Sequence, residues 1–196
     1  MPLLETRGSG SALGFGLNSF KQESGDFESI MTVIPSSTNV INFTSIPQTY
    51  KHLHIRGVGR TGNGGKTGYL NLRFNNDTGN NYHYAYMERN PAADVINTGQ
   101  LDNISQIYTS YISGGNSISN CDGVILIDIF DYTSANKFKS VFTLGSPGMS
   151  DVDSKGLSIM GTMWKNSSSP ITSIQLTTDS GNFGGATKFA LYGIKG

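Results

Sequence analysis

The chain has 196 residues, with 14 basic and 14 acidic side chains and a pI near 6.8. That neutrality argues against a nucleic-acid-binding surface, which is normally basic, and supplies no polybasic patch for an anionic membrane. Charged residues make up only 14% and apolar ones 36%, while 25 Gly, 24 Ser, 17 Thr and 17 Asn fill the gap, as in loop-rich all-β domains; ten Phe and nine Tyr supply a core and exclude a disordered chain.

No run approaches the roughly 18 apolar residues that a spanning helix needs. The opening MPLLETRGSGSALGFG has no basic n-region and no long apolar stretch, so no Sec signal is expected and synthesis in a cytosol is. The single Cys121 cannot form an internal disulfide, so stability is expected from packing or assembly.

Residues 1–25 read as an arm. Their sequence lacks a period and mixes Gly and Ser with isolated large apolar residues. It is either a solvated tail or an extended segment that docks Leu13, Phe15, Leu17 and Phe20 on a neighbouring subunit. Both readings stay open, although a solvated tail rarely carries four such residues in so short a span.

Residues 26–196 then read as one β domain. Phe27–Ile34 predicts a first strand; Pro35–Thr38 turns, and Val40, Ile41 and Phe43 follow in a second, giving a predicted hairpin. In IPQTYKHLHIRGVGR (46–60), Pro47 forces Ile46 into an extended conformation. Leu53 and Ile55 then alternate with His52, His54 and Arg56, so one face is apolar and the other basic. Thr61–Thr67 reads as a mobile loop. Gly68–Asn75 alternates, with Leu70, Leu72 and Phe74 inward and Asn71 and Arg73 outward. Asn76–Asn81 turns, with Gly79 as the expected positive-φ residue.

Tyr82–Arg89 puts Tyr82, Tyr84 and Tyr86 on one face. Asn90–Asp102 reads as a long connection and Ile104–Ile112 as a weaker strand. Gly123–Tyr132 is the most apolar run and predicts a central strand covered on both faces or at a subunit contact. Phe138, Val141, Phe142 and Leu144 make its partner. Leu157–Lys165, Ile171–Thr178 and Lys188–Lys195 are the last strands. About ten strands without a convincing helix predict an antiparallel two-sheet β-sandwich of jelly-roll type with an extended N-terminal arm; a closed barrel is the second choice.

The segments FESIMTV, SIPQTYKHLHIRGVGR and MWKNSSSPITSIQLTTDSGNFGGATKFALYGIKG resemble small structural proteins of tailed bacteriophages, notably of cyanobacterial and marine phages. The resemblance covers residues 27–60 and 157–196, and the opening residues are similar too. It rests on scaffold strands rather than on a catalytic motif. It implies a virion component, tail- or fibre-associated or decorating the head, and by analogy with other virion jelly rolls a homotrimer. His54 departs from the family pattern, which more often has Gln there.

Candidate chemistry is sparse. His52 and His54 share a face and His83 is a third imidazole, a set that can chelate zinc or iron; a solvated basic face with Arg56 is the competing reading, and no cofactor or metal is expected. SDVDSKG (Asp151, Asp153, Gly156) and NNDTG (Asn75, Asp77, Gly79) faintly resemble calcium loops but lack the ligand pattern, and Asx turns explain them better. Cys121 reads as a structural thiol, and no nucleophile set or phosphate loop emerges.

The expected function is therefore structural rather than enzymatic: a virion protein, made in the host cytoplasm, that joins copies of itself and other virion proteins through its arm. A second hypothesis is a module that binds host surface glycans through Tyr82, Tyr84, Tyr86 and Trp164, against ordinary packing of those rings between sheets. A third is a hydrolase of cell-wall polymer, which needs two carboxylates facing each other across a groove, about 5–9.5 Å apart.

Overall fold

A computed structural model describes residues 26–90, 95–148 and 156–196. Leu13, Phe15, Leu17 and Phe20 of the arm lie outside the described residues, as do Asp151 and Asp153.

Among the described residues there is no helix, and twelve strands carry the fold. They are β1 (Phe27–Val33), β2 (Val40–Phe43), β3 (His52–Thr61), β4 (Thr67–Phe74), β5 (Tyr82–Asn90), β6 (Val95–Ile104), β7 (Ile107–Ser113), β8 (Gly123–Ile129), β9 (Lys139–Ser146), β10 (Ser158–Trp164), β11 (Ile174–Thr178) and β12 (Phe183–Ile194). Hydrogen bonding joins them in the order β2-β11-β4-β7-β3-β8-β9-β10-β5-β6, with β12 branching from β3 and carrying β1. The sheet is mixed and does not close. Every pairing is antiparallel except one parallel bridge, Arg60↔Ser113 between β3 and β7, so the purely antiparallel pairing expected from the sequence is corrected at that point.

Period-two alternation builds the core. Leu53 and Ile55 of β3 and Ile125, Ile127 and Ile129 of β8 point to one side, where Leu70, Leu72 and Phe74 of β4 and Leu176 of β11 meet them. These side chains are fully buried, the main source of folding free energy.

Several sequence expectations change. β1 and β2 do not form a hairpin: β1 pairs with β12 and β2 with β11, where Ile41 and Phe43 of β2 reach the core. The presumed long connection after β5 contains β6, a polar strand that hydrogen-bonds to β5 alone. It has almost no apolar alternation because few of its side chains are buried. β8 is central but covered on one side only, since Val124 stays half exposed. Asn71, expected outward, is buried, because the second face of β4 is also covered. At the β4–β5 turn the left-handed residues are Asn75 (φ 50°) and Asn76 (φ 54°) rather than Gly79. The Asp77 N–H donates to the Phe74 carbonyl (2.8 Å), as in a type I′ turn, although β4 and β5 do not pair with each other. The TGNGGKT loop is tied to residues 114–116: Gly114, Gly115 and Asn116 donate backbone N–H groups to Lys66, Asn63 and Gly65.

Gly57 shows how closely neighbouring strands pack. It pairs with Phe189 of β12, whose ring lies over it, and an added Cβ would sit 2.7 Å from Phe189 Cγ. Gly57→Ala is therefore expected to cost about 1–3 kcal/mol through overpacking. A urea melt showing no loss would mean that the ring swings away freely.

Candidate functional site

β5 sends Tyr82, Tyr84 and Tyr86 to one face, as its alternation requires, and that face points inward. The three rings part company there. Tyr82 is fully buried, accepts the Phe74 N–H (3.1 Å) and donates to the Asp77 carbonyl (3.2 Å). Trp164 stacks on it, centroids 6.5 Å apart, and donates Nε1–H to Asp77 Oδ2 (2.8 Å). Both rings are core, so neither offers a face to a ligand.

Tyr84 and Tyr86 instead line a cavity of about 250 Å³ where β5 and β6 come over the second face of β4 and β7. Tyr69 and Tyr108 form its other wall, and Glu88, Leu101 and Gln100 complete it. Tyr84 meets Tyr108 edge to face at 5.6 Å, and Tyr108 meets Tyr69 likewise at 5.4 Å. Tyr86 lies 6.0 Å from Tyr84. Opposite Tyr86, β6 presents Gly99, where a Cβ would stand 2.8 Å from the ring.

Behind the wall, the Tyr69 and Tyr111 hydroxyls are hydrogen-bonded, and Tyr111 also bonds to Glu88. Either hydroxyl of the Tyr69–Tyr111 pair can be the donor. Burial raises the pKa of Tyr69, Tyr84 (to about 12) and Tyr111, so these phenols keep their protons throughout the physiological range. Beside Tyr108, its cross-strand partner Asn71 is buried with Oδ1 bonded to no described residue. Tyr69, Tyr108 and Glu88 escaped the sequence reading; only the outward alternation of Tyr69 in GYLNLRF hinted at a shared face.

The opposite side of the sheet carries a second feature. Val58 of β3, Val124 of β8, Phe142 of β9 and Met87 of β5 all point outward, and Val124, Phe142 and Met87 are 42–52% exposed. With Leu144 and Ile159, which face outward in the same registers, they make one apolar face across several strands. At one end it dips into a groove of about 390 Å³ lined by Val58, Val124, Leu126, Ala190 and Tyr192, with Arg56 and Lys188 among its walls.

The histidines do not converge. His54 is buried, Nδ1 2.5 Å from Asp128 Oδ1, and Nε2 accepts from Arg56 Nε (2.9 Å). These partners place its proton on Nδ1, and the basic-face reading of β3 is corrected for this residue. His52 Nδ1 accepts the Asp131 N–H (3.1 Å), and His83 lies 3.4 Å from Asp102. Among the described residues no three His, Cys, Asp or Glu side chains are grouped to hold a metal. Asp77 makes an Asx turn, accepting the Gly79 N–H (2.8 Å). Cys121 is half buried ahead of β8.

No family model matches the chain, and neither the curated proteins nor the solved structures contain a match.

Proposed function

We propose that the chain is a non-catalytic structural subunit of a bacteriophage particle, a tail or fibre appendage or a head decoration, that associates with copies of itself and with neighbouring virion proteins. The reading takes its virion assignment from the resemblance carried by residues 27–60 and 157–196. The observation that carries the assembly role is the apolar outer face, because monomeric proteins seldom expose so continuous a patch. A second copy is its occupant, in a trimer, and the N-terminal arm is the anchor to the particle. A neutral, hydroxyl-rich surface suits dense packing, since repeated like charge would oppose it.

The architecture this reading uses is a two-sheet sandwich of jelly-roll type. The run β2-β11-β4-β7 would form one layer and the longer run from β3 to β6 the other. Hydrogen bonds that link β7 to strands not its neighbours support it: Thr143 of β9 donates to the Thr109 carbonyl (2.6 Å), and the Ser110 and Ser158 hydroxyls are 2.6 Å apart.

Light scattering on the full chain tests the assembly. Wild type is expected as an oligomer, and Val124→Lys with Phe142→Lys as a folded monomer, because two buried, unpaired ammonium groups would oppose the interface. A wild type that stays monomeric at high concentration, or a double variant that assembles normally, would remove the outer face from the proposal. Deleting residues 1–25 is expected to leave self-association intact and abolish incorporation into particles.

A further inference from the structure

We propose that the tyrosine-lined cavity is a binding site for a single neutral sugar ring of a glycan, a function separate from self-association and on the other side of the sheet. Four features select that ligand class. First, its two walls are made of phenol rings from different strands, Tyr84 and Tyr86 on one side and Tyr69 and Tyr108 on the other. Phenol faces suit the C–H faces of a pyranose, and phenol hydroxyls suit its hydroxyl groups. Secondly, the polar groups accept as well as donate. The hydroxyls of the lining tyrosines and the Gln100 amide can each do both.

Thirdly, no Lys or Arg lines the cavity while Glu88 does, which disfavours phosphate, sulfate and acidic sugars. Fourthly, the site is a pocket open to solvent, with a volume of about 250 Å³. The lining hydroxyls and the Gln100 amide are acceptors that a ligand hydroxyl would meet. Gly99 lets β6 pass directly against the Tyr86 ring, where a Cβ would not fit. A flat aromatic ligand would stack on the rings but leave these acceptors unmet.

Of the rings named for glycan contact on sequence grounds, Tyr84 and Tyr86 belong to this site, and Tyr82 and Trp164 do not.

The test is saturation-transfer NMR and calorimetry on the full chain. The probes are methyl glycosides of glucose, mannose and galactose, together with N-acetylglucosamine, and tetramethylammonium is the rival ligand for an aromatic box. At least one glycoside is expected to bind. Tyr86→Ala is expected to weaken it tenfold or more. Leu101→Trp, at an exposed position on the rim, is expected to block it without disturbing the fold or the oligomer. Absence of binding by every glycoside at tens of millimolar, binding indifferent to both substitutions, or binding of tetramethylammonium alone would each overturn the proposal.

Discussion

Trp164→Ala is expected to lower folding stability by about 3–5 kcal/mol, the range for removing a large buried aromatic. Trp164 is fully buried, lies 5.5 Å from the Phe74 ring, stacks on Tyr82 and carries the Lys139 ammonium 5.4 Å above it. Lys139 is itself buried, and its Nζ donates to the Lys137 and Asn166 carbonyls. Truncating the indole would open a void beside a cation held only by neutral acceptors. It would also strip Asp77 of its Nε1–H donor. Trp164→Phe keeps most of the contact and is expected to lose much less. Chemical denaturation of the two variants checks the order, and equal losses would show that the hydrogen bond, rather than the packing, dominates.

The same site sets an acid limit. Burial alone would raise the Asp77 carboxyl, but hydrogen bonds from Trp164, Asn81 and the Gly79 N–H outweigh it and hold its pKa below the ordinary 3.8. The folded carboxylate therefore takes up its proton less readily than the unfolded one. Its contribution is fully present above the unfolded value and is lost as pH falls through the lower folded value. Asp77→Asn is expected to flatten that part of the stability profile.

Arg60→Ala is expected to cost roughly 3–5 kcal/mol, because it leaves a shielded charge and several carbonyls without their donor. The Arg60 guanidinium donates Nε–H to Asp122 Oδ1 (3.1 Å) and Nη2–H to the carbonyls of Ile118 (2.5 Å) and Cys121 (2.9 Å). Its Nη1 reaches the carbonyls of Gly114 (3.4 Å) and Ser117 (3.3 Å). Both charged side chains are largely shielded, 12% and 17% exposed. One side chain thus organises the β7–β8 connection, which has no strand to satisfy its backbone. Lysine cannot reproduce the planar fork, so Arg60→Lys is expected to recover only part of the loss. Hydrogen exchange should rise across residues 114–122 in Arg60→Ala. Unchanged protection there would contradict this account.

Much of the secondary structure could be read from the chain because alternation is enforced wherever one face is buried. β3, β4, β8 and β10 all announced themselves that way. β6 did not, since an edge strand with none of its side chains fully buried imposes no apolar rhythm. Alternation also says which residues share a face, not which face turns inward. Tyr82, Tyr84 and Tyr86 do line up together, yet they point into the molecule, which moves Tyr82 into the core and Tyr84 into a cavity. The opposing wall, Tyr69 and Tyr108, comes from strands distant in sequence. Nothing local encodes that meeting, and the parallel bridge at Arg60 and Ser113 is equally invisible to it. His54 looked solvated because its burial is supplied by Phe27 and Asp128 from elsewhere in the chain.

The place of β12 has a consequence for how the protein is made. The last strand lies between the first and the third, and Lys195 closes the seam by donating its N–H to the Asp26 carbonyl (2.9 Å). Until β12 has been added, β1 has no strand beside it and β3 lacks one neighbour, so the sheet completes only when that strand arrives. Prematurely terminated products would lack an interior strand and expose two raw edges, marking them for proteases and barring them from any assembly built of intact copies.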